Sequence, residues 1–288
     1  MVSIVIAAHN EEAVLGATLA ALPRGSGMEV IVVPNGCSDN TAAIARRHDA
    51  TKVVVVAEGG KPGALNAGDA AATTFPRIYL DADIVPPPGT VEALVQALDR
   101  PGILAAVPGR RLNTAGRPWP VRAWAAINVR LPVFVDGLFG RGMIALSEEA
   151  RSRFGAFPQM VADDLFLDSL FSPDEKAHVA APAVTVEAPF TSRDLINRLV
   201  RVRRGSAAMR GAEAELGVPI RRADRWSWLR DVVVPSPRLA PAGAAYLAIT
   251  LLAALLARRA PRHGSVWGRD HSTRAELTTP DRQGGQRD

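Results

Sequence analysis

Apolar and polar positions come in alternating blocks through the first hundred residues. Val2 to Ala8 is an unbroken apolar run rich in β-branched residues, and it hands over to His9-Asn10-Glu11-Glu12. That pattern predicts a buried strand followed by a helix to about Leu22, with Asn10 as its cap and two acids in its first turn. Glu29 to Val33 repeats the design: a strand ends at Pro34-Asn35-Gly36, and Ser38 or Asp39 caps a helix from Asn40 to His48. Lys52 to Ala57 reads as a third strand, Leu65 to Ala72 as a helix and Arg77 to Leu80 as a fourth strand. Alternation of this kind predicts an α/β fold, with βαβ units on a Rossmann-like, mostly parallel sheet flanked by helices.

Farther along, Val91 to Leu98 is amphipathic and Ile103 to Val107 is apolar enough for another strand. Regularity then fades: residues 109 to 136 mix arginine, proline and tryptophan without a period, and Gly137 to Leu146 is apolar and punctuated by glycine. Asp163-Asp164 opens a helical pattern in Leu165, Leu167, Leu170 and Phe171, and Ala177 to Val186 reads as a last strand. From Arg193 to Arg210, Leu195, Ile196, Leu199, Val200 and Val202 mark the apolar face of a helix whose other face is arginine. Leu239 to Ala257 carries no charge over 19 residues, about 28 Å of helix. Pro241 and Gly243 shorten the clean run to roughly 14 residues, a length more usual for a core or interfacial helix than for a membrane span. The expected architecture is thus an α/β domain with a C-terminal helical extension, and past Ala260 a polar, disordered tail.

Composition narrows the chemistry. Hydrophobic residues at 48% and charged residues at 22% describe a globular chain. The single cysteine, Cys37, excludes an internal disulfide framework and a cysteine-rich zinc site, and the five histidines lack paired metal spacing. Catalysis is left to carboxylates and bases. Val2 begins an apolar run with no basic region or cleavage site before it, so the expectation is a cytoplasmic protein without a signal peptide. The net charge of +5 is concentrated: Arg193 to Arg230 holds ten arginines against Asp194, Glu213, Glu215 and Asp224, a surplus of six. Such a patch suits an anionic membrane surface, a phosphorylated substrate or nucleic acid.

Chemistry is most concentrated in Ile78 to Thr90, where an apolar run delivers Asp81 and Asp83 and a proline block stops it. Carboxyl ends of strands in an open α/β sheet face the ligand crevice, so two acids there are placed to hold a divalent cation and through it a diphosphate. Ile4-Val5-Ile6-Ala7-Ala8-His9-Asn10-Glu11-Glu12, Val30 to Thr41, Lys61-Pro62-Gly63-Ala64-Leu65-Asn66-Ala67-Gly68, Asp81-Ala82-Asp83 and Asp163-Asp164 follow one order. In that order and spacing the chain resembles the family 2 glycosyltransferases of GT-A fold, over roughly residues 2 to 205.

The resemblance implies an inverting transferase that moves a sugar from a nucleotide-diphosphate sugar to an acceptor hydroxyl with Mn²⁺ or Mg²⁺, in glycan, cell-envelope or glycolipid synthesis. It implies that Ala8, Asn10 and Glu11 border the nucleoside, that Asn35 meets the base and that Lys61 serves the diphosphate. Asp81 and Asp83 would take ribose and metal, with Asp164 the catalytic base and Asp163 beside it where the family more often has Glu. His9 replaces a usual aromatic and Pro34-Asn35 replaces two acids, so a UDP-sugar is favoured by family alone. The segment Arg198-Leu199-Val200-Arg201-Val202 lacks the tryptophan of the Gln-x-x-Arg-Trp motif found in processive members, which argues against chain polymerisation. The implied division is a nucleotide-sugar half (residues 1 to 108), an acceptor and base half (109 to 192), a basic and apolar extension (193 to 260) that contacts a membrane from the cytoplasmic side, and the tail (261 to 288). The acceptor is left open among a sugar, a lipid-linked molecule and a small molecule. A sugar-phosphate nucleotidyltransferase would need a glycine-rich loop after the first strand, where this chain has Ala8-His9-Asn10. A non-catalytic basic module for membrane or nucleic acid leaves the four aspartates unexplained, and no nucleic-acid-binding signature supports a nucleic-acid partner.

Overall fold

A computed structural model describes residues 1 to 259 apart from 24, 26, 50, 160, 161 and 223. The expected disordered tail, 261 to 288, lies outside the described residues. Seven strands among the described residues, β1 (Val2–Ala8), β2 (Met28–Pro34), β3 (Thr51–Val53), β4 (Arg77–Asp81), β5 (Ala105–Asn113), β6 (Met143–Leu146) and β7 (Lys176–Glu187), form one sheet in the order β3-β2-β1-β4-β6-β5-β7. β6 runs antiparallel to both of its neighbours, and the other pairings are parallel. The helices are α1 (Leu15–Ala21), α2 (Thr41–Arg47), α3 (Lys61–Ala71), α4 (Thr90–Leu98), α5 (Trp119–Asn128), α6 (Pro132–Asp136), α7 (Glu148–Ser152), α8 (Asp163–Ser169), α9 (Ser192–Gly211), α10 (Glu213–Leu216) and α11 (Ala240–Arg259).

Burial on both faces explains why the first strand reads as continuous apolar sequence. Ile4, Ile6 and Ala8 join a core with Leu15, Leu19, Val91 and Leu94 from α1 and α4, while Val5 and Ala7 join a second core with Leu65, Phe157, Phe166 and Leu167. The second core carries a charged knot. Asp69 of α3 accepts hydrogen bonds from Arg77 (2.6 Å), Tyr79 Oη (2.7 Å) and Arg151 Nε (2.8 Å), joining α3 to β4 and α7. Burial alone would raise the Asp69 carboxyl, but these donors hold it below the usual carboxylate range. The last turn of α3 is thereby fixed to the first half of β4 and to α7.

Several sequence expectations shift. The third strand is shorter than Lys52 to Ala57, with a further bridge from Val56 to Asn35. Helix α3 begins at Lys61 instead of Leu65, so Lys61 stands in a first helical turn and not in a loop. The aperiodic stretch from 109 to 136 contains the rest of β5 and helices α5 and α6, whose apolar residues pack with α9, α11 and the segment between them. The expected boundary at residue 108 falls within β5, and the two halves share the sheet.

Gly68 is where α3 lies closest to the sheet: a Cβ there would land on Val5 Cγ1 and 3.0 Å from Val33 Cγ2. Gly68→Val should therefore lower unfolding stability by about 1–3 kcal/mol, the usual cost of overpacking. Urea unfolding measures it, and wild-type stability in that variant would show that α3 is free to move off the sheet.

Candidate active site

The ends of β1 and β2 are knitted into one turn system by side chains that read as helix caps in the sequence. Asn10 adopts a left-handed backbone (φ 54°), a conformation asparagine tolerates better than most residues. Its Oδ1 accepts from Ser38 N at 2.8 Å. The expected cap role of Asn10 does not hold, because α1 starts only at Leu15 and Val14 precedes it without a side-chain cap. Glu12 Oε2 accepts from Asn40 N at 3.0 Å, Asp39 Oδ2 accepts from Glu12 N at 3.1 Å, and Glu11 N donates to Thr41 Oγ1 at 2.7 Å. Asp39 Oδ1 accepts from Thr41 N at 3.0 Å, but the residue at the N-cap of α2 is Asn40, without a side-chain cap, and not Ser38 or Asp39 as expected. Burial would push the Asp39 carboxyl up, and the hydrogen bonds from Thr41 and Glu12 hold it lower.

Asn35 is a correction. The resemblance places it against a nucleobase, but its side chain is fully buried: Nδ2 donates to Ala8 O (2.9 Å) and Val33 O (3.3 Å), and Oδ1 accepts from Gly60 N at 3.0 Å. It fastens β1, β2 and the approach to α3 together and leaves no polar atom for a base. Ala8 is buried too, with its carbonyl occupied by Asn35. Glu11 is buried at 7% exposure, while His9 and Asn10 are partly exposed.

Three elements converge on Lys61. Its ammonium is 2.7 Å from Asp81 Oδ1 at the end of β4 and 2.9 Å from Asp163 Oδ2 at the start of α8. Burial alone would lower the lysine pKa; Asp163 and Asp81 raise it well above the ordinary value and keep it charged. Asp83 stands exposed two residues beyond Asp81, on the far side of buried Ala82. Thr18 of α1 braces this turn by donating to Ala82 O at 2.7 Å.

Asp164 lies beside the cluster without joining the ion pair. Its Oδ2 accepts from Gly140 N at 3.2 Å and its Oδ1 from Leu165 N at 2.8 Å. Burial of the carboxyl and the negative charge of Asp163 lift its pKa to about 6, against the attraction of Lys61. A carboxylic acid poised there can exchange a proton near neutral pH. Asp136 and Asp168 do not compete for that role. Asp168 is fully buried against Lys176 (2.8 Å), and Asp136 lies near Arg221.

The loop before β6 supplies what sequence reasoning missed. Asp81 N donates to Gly142 O at 2.7 Å, and Gly142 has φ 64° with no space for a Cβ, which would meet Asp81 Oδ2 at 2.8 Å. Gly140 and Gly142 thus hold Asp164 and Asp81 through backbone atoms alone. The signal available was the glycine punctuation itself, which carries no chemistry until the antiparallel β6 places it beside β4.

The donor set fits a divalent cation in one way only. Among the described residues no three acid, histidine or cysteine side chains are grouped to hold a metal by themselves. Asp81 and Asp83 supply carboxylates at a strand exit, and the surplus negative charge of Asp81, Asp163 and Asp164 over Lys61 favours a cation. Such a set suits an ion that takes one or two carboxylates and completes its shell with substrate phosphate oxygens and water.

Comparisons with known proteins give the family and the fold. The model of glycosyl transferase family 2 matches residues 3–151. Uncharacterized glycosyltransferases of Mycobacterium bovis and Mycobacterium tuberculosis are each 42% identical over 125 residues, 43% of this chain. The match spans only about half of those relatives, 54% of their length. Among solved structures, a mannosyltransferase from Pyrobaculum calidifontis in complex with GDP-Man and Mn²⁺ superposes with a TM-score of 0.58 at 22% identity, over 89% of this chain and 78% of that one. Glucosyl-3-phosphoglycerate synthase from Mycobacterium tuberculosis, in complex with Mn²⁺, UDP and its product, gives 0.54 at 22% identity, over 76% of this chain and 81% of that one. The fold is GT-A, and with the family model covering more than half of its length this chain belongs to glycosyltransferase family 2.

Proposed function

We propose that the protein is an inverting glycosyltransferase that uses a nucleotide-diphosphate sugar and works against the cytoplasmic face of a membrane. The observation that carries the reading is the clamp of Lys61 between Asp81 and Asp163 with the proton-binding Asp164 beside it. Asp81 and Asp83 would hold Mn²⁺ or Mg²⁺, and that ion would supply charge neutralisation to the departing diphosphate. Lys61 adds a second positive charge at the same place, on an element locked by the Asp69 knot. Asp164 takes the proton of the acceptor hydroxyl as its oxygen bonds to the anomeric carbon and the carbon–oxygen bond to the diphosphate breaks. The bonding pair leaves with the diphosphate, and attack from the opposite face inverts the configuration. Asp163 positions Lys61 and is too fully engaged with it to be the base. On the nucleoside side, Asn10 and Glu11 remain the residues to border the ligand, and Asn35 acts from behind by shaping the turn. The structural neighbours were solved with GDP-Man and with UDP, which supports guanine or uracil as the base of the donor.

Membrane contact is supported by α11. The segment Pro237–Arg259 is long and apolar enough to cross a membrane. One side is packed, with Ile249 and Ala253 buried and Tyr246 stacked on Trp124 of α5. The other presents Leu247, Leu251, Leu252, Leu255 and Leu256, all exposed, and ends at Arg258 and Arg259. A helix half committed to α5 and α9 would have to abandon those contacts in order to span. Lying in the interface keeps them, buries the leucines and sets the arginines against anionic headgroups.

Three outcomes test the proposal. Asp83→Ala should abolish metal-dependent nucleotide binding by calorimetry and lower turnover on the order of a hundredfold or more; retained Mn²⁺-dependent affinity would remove Asp83 from the site. Asp164→Asn should abolish transfer with donor affinity kept. Because the folded protein raises this carboxyl from the ordinary range to about 6, ionising it costs the native state stability as pH rises from about 4 through 6. The asparagine variant should thus unfold at higher urea than wild type at pH 7.5, by on the order of 1–3 kcal/mol, and match it near pH 4. An active Asp164→Asn enzyme would place the base elsewhere. Finally, the protein should bind vesicles containing phosphatidylserine, less so as salt shortens the screening length below about 8 Å. Replacing Leu251 and Leu255 by Glu should release it, and equal binding by that variant would show that α11 is not the contact.

A further inference from the structure

A second charged cluster lies across Gly140 from Asp164. Arg110 of β5, Arg141 in the loop before β6 and Arg198 of α9 are close enough for their charges to repel. Among the described residues none of the three has a carboxylate within ion-pairing distance. Arg141 is spent on backbone, donating to Gly137 O and Phe134 O at 2.6 Å each and to Phe139 O at 3.1 Å. Arg110 is engaged differently. Its guanidinium lies 4.3 Å above the Phe134 ring and gives one hydrogen bond, to Asn128 Oδ1 at 3.0 Å, out of five N–H donors. Arg110 Nη1 would be 3.0 Å from a Cβ at Gly140, the residue whose amide holds Asp164.

Burial, and after it the charges of Arg141 and Arg198, bring the Arg110 pKa down to about 10; burial does the same to Arg141. Both stay protonated at neutral pH, so the cluster is a standing positive potential. Ordinary packing would have placed a carboxylate among three such groups, because unpaired buried charge is costly. Here the one carboxylate that acts on the cluster, Asp168, reaches Arg141 and is already held by Lys176 and Arg221, whereas Arg110 has none, and Arg110 and Arg198 are both partly open to solvent. Guanidinium groups are suited to bind phosphate or carboxylate through paired N–H donors.

Resting on the transferase reading above, we propose that the acceptor carries an anionic group, a phosphate or carboxylate, next to its reacting hydroxyl, received by Arg110 and Arg198 while Asp164 faces the hydroxyl. The anion completes the cluster, and Gly140 sets the separation between it and the base. Substrate selection follows, since a neutral acceptor would leave the guanidinium groups uncompensated.

The test is isothermal titration of inorganic phosphate into protein saturated with Mn²⁺ and UDP or GDP, whichever binds. Wild type should bind phosphate, and Arg110→Gln should weaken that binding about tenfold or more while leaving nucleotide affinity unchanged. Arg198→Gln, on a more accessible helix position, serves if the buried substitution impairs folding. Glycerol 3-phosphate against glycerol, and lysophosphatidic acid against monoacylglycerol, then read whether a soluble or a lipid-borne phosphate is preferred; binding of either phosphate form over its neutral counterpart supports the proposal. Phosphate affinity unchanged in both variants would overturn it. So would a parallel loss of nucleotide affinity, which would assign the cluster to the donor diphosphate. If neither nucleotide binds wild type, the transferase reading fails, while phosphate titrated into the nucleotide-free protein and Arg110→Gln still tests the anion site, so the two failures are distinguishable.

Discussion

The structure depends on one shared proton donor. Lys61 holds Asp81 and Asp163 at once, and those carboxylates come from the end of a strand and the start of a helix that are 82 residues apart in sequence. Without the ammonium, two negative charges would face each other beside a third, and the end of β4 would repel the start of α8. Everything placed near the cleft inherits this geometry: Asp164 follows Asp163 on the helix, Asp83 follows Asp81 on the turn, and Gly142 is fitted against Asp81. Burial first, and then the negative charges of Asp163 and Asp81 in the same cluster, explain why Asp164 holds its proton, against the attraction of Lys61.

How much of this was legible in the sequence differs by region. Strands β1, β2 and β4 were readable because a strand buried on both faces must be apolar throughout, and a local run of residues is enough to show it. The pair Asp81 and Asp83 and the pair Asp163 and Asp164 were readable for the same reason, as acids at the end or start of a clear pattern. The position of Lys61 was misplaced because Gly59, Gly60, Pro62 and Gly63 look like a loop, whereas proline fits the first turn of a helix without cost. Asn35 was misassigned because an asparagine at a strand end looks the same whether its amide points into a cleft or into the turn behind it. Helices α5 and α6 escaped because their apolar residues serve several neighbours, which erases a single periodic face.

The arginine cluster was the least legible. Arg110, Arg141 and Arg198 are 31 and 57 residues apart, on a strand, a loop and a helix, and nothing in their local sequence marks them as one group. Their neighbours conceal them further, since Arg110 sits in a stretch of β5 beyond the apolar run, and Arg198 is one of ten arginines in a basic segment. Only the order of strands brings them together. In that respect the first half of the sheet is written in motifs and the second half in topology.

The reversed direction of β6 has a consequence for how such a protein can diversify. Because β6 enters the sheet beside the exit of β4, the segment from Gly137 to Gly142 is anchored on β4, while β5, β7 and the helices beyond hang on its other edge. The family model ends at residue 151, just after this strand. The antiparallel strand therefore behaves as a seam: elements sewn to its outer edge can be lengthened, recharged or replaced without shifting Asp81 at the end of β4 on its inner edge.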